Sequence, residues 1–176
     1  GGPMTAHKVI VTEPIHEAGI ELLERNGVEV VQLPPSSDEE TLQAEAPWAA
    51  ALITRGGIKV TRGFMESAPL LKAVGVHGIG CDHVDLEAAS ELSKIVLNTP
   101  FALSESVAEM IFALLFAISK RIVNADKAVR AGEWYRKYGD LRGIEVMGKT
   151  VGIIGLGRIG TATARRLKSF GVKLLY

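Results

Sequence analysis

Cysteine is almost missing from this sequence. Cys81 stands alone, so no internal disulfide can form and no thiolate cluster can hold a structural metal. A reducing, cytoplasmic compartment is the expectation. Excess charge is missing too. Lys plus Arg and Asp plus Glu balance at 20 each, which excludes the basic groove of a nucleic-acid binder and the polybasic patch of a membrane anchor. No apolar run is long. The most apolar stretch, residues 107–118, contains Glu109 and falls well short of the ~20 residues of a membrane span. Internal repeats and low-complexity tracts are lacking as well. The leading Gly1-Gly2-Pro3 reads as a cloning remnant, with the native chain expected to start near Met4.

What remains is a sequence that is 47% hydrophobic with 19 glycines, the make-up of a tightly turned α/β protein. Short apolar runs at residues 7–12, 28–33, 50–54, 71–76 and 94–99 read as strands. Helical patterns separate them: residues 15–25 with Pro14 in the first turn, 38–45 capped by Asp38, a short helix capped by Thr61 and ending before Pro69, and 86–93 capped by Asp85. Strands alternating with helices imply parallel β-α-β units, because a parallel pair needs a crossover connection. The expected fold class is a flavodoxin-like, doubly wound parallel sheet. Ligands of such sheets collect beyond the C-terminal strand ends, at residues 54–57, 77–85 and 98–106.

A different element follows. Ser106 and Glu109 have the spacing of a capping box, and Val107, Ile111, Leu114, Ile118 and Ile122 recur at helical spacing. One helix to about Ala131 would run about 26 residues, or about 40 Å, longer than a small domain is wide. The expected domains are residues 4–100, a linking helix at 101–132, and 133–176 as the start of a Rossmann domain. Residues 132–148 read as a loop. At residues 150–154 an apolar strand leads into Gly155, Gly157 and Gly160, and a helix pattern at 161–170 closes at Gly171. In that context Gly155 permits the turn, Gly157 lets the backbone approach a pyrophosphate, and Gly160 lets helix and strand pack closely. Arg158 and Ile159 would contact the phosphates through the backbone at a helix N-terminus. An acid that holds the ribose belongs ~20 residues further on. The sequence stops at Tyr176 before reaching it, so the expectation is a chain truncated within the dinucleotide domain.

Four stretches carry a resemblance: "GIGCDHVDLEAA" (78–89), "NTPFALSESVAEMIFALLFAISKRI" (98–122), "GEW" (132–134) and "LRGIEVMGKTVGIIGLGRIG" (141–160). In this order and spacing they resemble the front part of the D-isomer-specific 2-hydroxyacid dehydrogenases. The opening at residues 11–23 leans towards the phosphoglycerate-dehydrogenase-like members. The resemblance implies a substrate-side domain, a linking helix and an NAD domain, with NAD as cofactor and NADP as the other possibility. It also implies hydride transfer to a small 2-oxo acid, such as glyoxylate, hydroxypyruvate or the phosphoglycerate couple. The substrate carboxylate would rest on the loop of Gly78, Ile79 and Gly80, with the N–H groups of Ile79 and Gly80 as donors, where clustered amides form an anion nest; an ordinary capped turn is the other reading of that loop. Arg55 would face the substrate's distal acid or phosphate, or else is a solvated loop arginine. Val107 would pack near the nicotinamide, or else is a helical core valine. The family's Arg, Glu and His of catalysis match no residue here, and His7, His16, His77 and His83 stand at none of their positions. A homodimer through the long helix is implied as well. A dinucleotide-sensing corepressor on the same scaffold is the alternative.

Overall fold

The computed structural model describes residues 8–176, so Gly1-Gly2-Pro3, Met4 and His7, where the native chain and the opening strand are expected to begin, lie outside the described residues. The chain divides into two compact units, Gly1–Pro100 and Phe101–Tyr176.

The first unit holds strands β1 (Lys8–Val11), β2 (Glu29–Gln32), β3 (Ala49–Thr54), β4 (Ala73–Val76) and β5 (Ile95–Asn98), with helices α1 (Glu17–Arg25), α2 (Glu39–Glu45), α3 (Arg62–Ser67) and α4 (Leu86–Glu91) between them. All pairings are parallel, in the order β2-β1-β3-β4-β5. This is the expected flavodoxin-like sheet. Helices cover both faces, which is why β1 is apolar at consecutive positions. Ile10 joins the larger core with Leu52, Phe64, Met65 and Val74, whereas Val9 and Val11 point to the opposite face against Ile20.

The caps follow the sequence. Asp38 accepts the Thr41 N–H at 2.9 Å, Thr61 the Phe64 N–H at 3.3 Å and Asp85 the Ala88 N–H at 2.9 Å; each satisfies a donor that the first helical turn leaves open. Two boundaries shift. α1 starts at Glu17 rather than at residue 15, because His16 Nδ1 accepts the Ala18 N–H at 3.2 Å and leaves Pro14 outside the helix. α4 stops at Glu91, and Ser93 turns the chain with φ of 55°.

The second unit comprises α5 (Ser104–Ser119), α6 (Ile122–Arg130), a 3-10 turn (Trp134–Tyr138), β6 (Thr150–Gly152), α7 (Arg158–Leu167), a 3-10 turn (Lys168–Phe170) and β7 (Lys173–Leu175). β6 and β7 pair in parallel across α7. The single long helix is corrected to two. Arg121 adopts φ of 52° and breaks the run between α5 and α6. The reason lies far along the chain: Ile144 N–H donates to the Ser119 carbonyl at 2.8 Å, so residues 143–144 cap α5 there. Gly143 makes that possible, since a Cβ on it would stand 2.7 Å from the Ser119 oxygen.

The capping box is also corrected. α5 begins at Ser104, three residues early, after Leu103 and with no side-chain cap bond, while Ser106 and Glu109 face outward. The stripe of Val107, Ile111, Leu114 and Ile118 is exposed, and Ser104, Ala108 and Ser119 are buried instead. Small residues there let α5 lie close to α7. Phe112 and Phe116 close the contact against Phe170, with ring centroids 5.6 and 5.2 Å apart.

Candidate functional site

The glycine loop in the second unit has the geometry of a phosphate cradle. Gly155 sits at φ of 91°, a backbone region that side chains rarely enter. A Cβ on Gly160 would collide with the Gly155 carbonyl oxygen and stand 3.2 Å from its carbon, so helix and strand meet here with no room for a methyl group. Around Gly157 there is open space: a Cβ there would meet nothing within 4 Å. Gly157 is the N-cap of α7, and no side chain caps the helix. A wide-mouthed turn at an uncapped N-terminus, with the positive end of the helix dipole behind it, suits a diphosphate. Arg158 lies over the Phe101 ring at 4.4 Å, which holds its side chain towards the start of α5 and leaves the turn to the backbone. Ile159 lines, with Ile111, Gly155 and Gly160, an apolar cleft of about 360 Å³. Val107, on α5 one turn before Ile111, is 37% exposed and stands outside that lining.

In the first unit, Gly78, Ile79 and Gly80 follow β4. Two of the carbonyls are engaged: Thr99 N–H donates to the Gly78 oxygen at 2.9 Å and Asn98 Nδ2 to the Ile79 oxygen at 2.8 Å. Gly78 N–H turns back to the Val76 carbonyl, but the N–H groups of Ile79 and Gly80 donate to no protein acceptor among the described residues. Two adjacent amides without a protein acceptor are open to an anion. Asp82 borders it, with Oδ2 3.0 Å from where a Cβ on Gly80 would be. His77 N–H ties the neighbouring residue to the Thr54 carbonyl at 2.7 Å.

Arg55 follows β3, beside the β1/β3 switch point where the strand order reverses. Its guanidinium donates to the Pro14 carbonyl at 2.8 Å. The side chain is thus anchored rather than freely solvated. Sequence reasoning missed the residue beside it. Glu13 accepts the Arg55 N–H at 2.9 Å and is hydrogen-bonded also to the Gly57 N–H and the Thr12 hydroxyl. Burial alone would raise its pKa, but these bonds and the nearby His83 outweigh it and hold the carboxyl below its ordinary value of 4.5. The one available signal was an acid at the end of a buried strand facing the pair Gly56-Gly57 of the next strand's loop. It lies in the opening stretch at residues 11–23, whose resemblance assigned it no role.

Among the described residues no group of three or more His, Cys, Asp or Glu could hold a metal. No helix among them is long and apolar enough to cross a membrane.

Against known proteins, the family model for the catalytic domain of the D-isomer specific 2-hydroxyacid dehydrogenases matches residues 9–170. D-3-phosphoglycerate dehydrogenase of Methanocaldococcus jannaschii is 42% identical over 96% of this chain, which covers 31% of that protein. Glyoxylate reductase of Thermofilum pendens is 40% identical over 98% of this chain and is covered to 52%. Among solved structures, an NAD-dependent formate dehydrogenase from Staphylococcus aureus in complex with NAD is similar with a TM-score of 0.80 at 30% identity, over 95% of this chain and 55% of that one. The chain therefore spans about half, or less, of the length of the relatives it matches. With nearly its whole length inside that family model and a five-stranded parallel sheet of the expected order, the chain belongs to the D-isomer specific 2-hydroxyacid dehydrogenase family.

Proposed function

We propose that the chain forms part of an NAD-dependent D-2-hydroxyacid dehydrogenase, with NADP as the less favoured cofactor. The observation that carries this reading is the turn of Gly155, Gly157 and Gly160, closed against a methyl group at one glycine and open at another. Residues 155–160 would hold the pyrophosphate by backbone N–H groups, and Val107 would pack near the nicotinamide. NAD, when bound, supplies the hydride acceptor or donor at its nicotinamide C4. The chain's own residues bind and orient. Ile79 and Gly80 N–H groups would receive the carboxylate of a small 2-oxo or 2-hydroxy acid, and Arg55 would face the distal end of that acid. The Arg, Glu and His of catalysis have no counterpart in residues 1–176. In this proposal they come from the part of the relatives' length that the chain does not span, and residues 133–176 are the opening of the NAD domain.

The exposed stripe of Leu114 and Ile118 on α5, with Val123 and Ile144, borders an apolar groove of about 670 Å³. Large apolar side chains exposed together along one helix support a homodimer through α5. The lone Cys81 and the balanced charge support a cytoplasmic protein without nucleic-acid or membrane partners. The corepressor alternative draws no observation in its favour, since the relatives carry enzyme names.

The test is turnover by the intact protein with NADH and glyoxylate, hydroxypyruvate or phosphohydroxypyruvate. Oxidation of NADH that depends on the 2-oxo acid is expected. Absence of turnover with all three, together with no heat on NADH or NADPH titration, would overturn the assignment.

A further inference from the structure

The loop after β3 is built on a carboxylate that belongs to the chain itself. At the end of β1, Glu13 takes the main-chain N–H of Arg55 and that of Gly57, and the next residue, Pro14, takes the guanidinium of Arg55 on its carbonyl at 2.8 Å. Between the two bonded amides stands Gly56 at φ of 112°. The backbone therefore bends around the carboxylate. The fit is tight on that side, because a Cβ on Gly57 would stand 2.6 Å from Glu13 Oε1. On the other side the imidazole of His83 lies 3.5 Å from where a Cβ on Gly56 would be. The Thr12 hydroxyl, which also reaches the Ile53 carbonyl at 3.3 Å, ties the carboxylate back to the strand pair.

Two short loops from neighbouring parallel strands thus meet on one side chain, at the point where the sheet's winding reverses. Hydrogen bonds to an ionised acceptor are the strong kind. Without Glu13, two N–H groups pointing the same way would be left to water, and the turn with its left-handed glycine would lose what holds it. Arg55 would lose its main-chain anchor.

We infer that Glu13 is a positioning residue for substrate binding: its carboxylate sets the Arg55-Gly56-Gly57 turn and so the placement of the Arg55 guanidinium. The inference rests on the reading of this loop as substrate-side. Glu13 touches no substrate in this account and acts only through the turn.

The test compares wild type, Glu13→Ala and Glu13→Gln in the intact protein, with saturating NADH and varied glyoxylate or hydroxypyruvate. Glu13→Ala is expected to raise KM about tenfold, the size of one lost charged hydrogen bond, with kcat changed less than about twofold. Glu13→Gln keeps one acceptor oxygen and is expected to recover part of the loss. The effect of Arg55→Ala should be much smaller in the Glu13→Ala background than in wild type, because the two act as one unit. An unchanged KM in Glu13→Ala, or full additivity with Arg55→Ala, overturns the inference. Should Glu13→Ala fail to fold, the KM of Glu13→Gln decides between the same two outcomes. If wild type turns over no 2-oxo acid, the functional reading falls on its own. Amide exchange at Arg55 and Gly57 then judges the turn: acceleration in Glu13→Gln supports the positioning role and unchanged exchange overturns it.

Discussion

Replacing Gly160 by alanine puts one methyl group where the structure has none to spare. The obstacle is the Gly155 carbonyl, its carbon 3.2 Å from the new Cβ and its oxygen nearer still. A flexible side chain could swing away, but a peptide group in a turn can move only by opening the turn. Overpacking of this kind costs about 1–3 kcal/mol. Opening residues 155–160 spreads the amides proposed to hold the pyrophosphate, so the cost should fall on binding. At 1.4 kcal/mol per factor of ten, the Kd for NADH should rise about 5- to 150-fold. The assay is calorimetric titration of the intact protein with NADH, run beside thermal unfolding. Gly152→Ala in β6 is the control, since a Cβ there meets nothing within 4 Å. Gly160→Ala that binds NADH within twofold of wild type, with an unchanged melting temperature, refutes the cradle.

Further outcomes are expected elsewhere. Leu114→Asp with Ile118→Asp places two charges on the exposed stripe of α5 and should convert the proposed dimer to monomers in analytical ultracentrifugation; a dimer that survives both changes assigns the interface to another face. Glu13 has a folded-state pKa below its unfolded value, so the stability it adds is present above about pH 4.5 and is lost as pH falls through the lower folded value. The difference in melting temperature between wild type and Glu13→Gln should therefore be full at pH 6 and shrink towards pH 3, and a difference that grows on acidification contradicts the sign. Leu52→Ala removes a side chain fully buried in the larger core, which should cost about 2–5 kcal/mol in denaturant unfolding; a loss below 1 kcal/mol would mean that the core is not packed as described.

Much of the first unit was legible because its signals are local. Asp38, Thr61 and Asp85 each stand three residues before the N–H that they accept, a spacing visible in any reading of the sequence. The parallel pairing followed from helices placed between apolar runs. Several of the failures come from contact between residues far apart in sequence. The pattern through Lys120 and Arg121 stays helical, and what ends α5 is an N–H from Ile144 reaching the Ser119 carbonyl. The capping box at Ser106 had the right residues at the right interval, but a helix takes its start from the turn before it, at Leu103. α5 is apolar on almost every side, so periodicity could not say which stripe is buried. Tertiary packing buried the small residues Ser104, Ala108 and Ser119 and left Val107, Ile111, Leu114 and Ile118 outside. At the candidate site the glycines of the cradle announce themselves by spacing. Glu13 does not, because its partners Arg55 and Gly57 lie more than 40 residues away.

The most direct measurement is an amide nuclear magnetic resonance titration of the intact protein with NADH. The account predicts that the amides of Gly157, Ile159 and Gly160 shift and saturate with the ligand, while the control amide of Leu52, in the other unit's core, stays in place. NADH added to saturation with those three amides unmoved would contradict the claim that this turn receives a dinucleotide's phosphates.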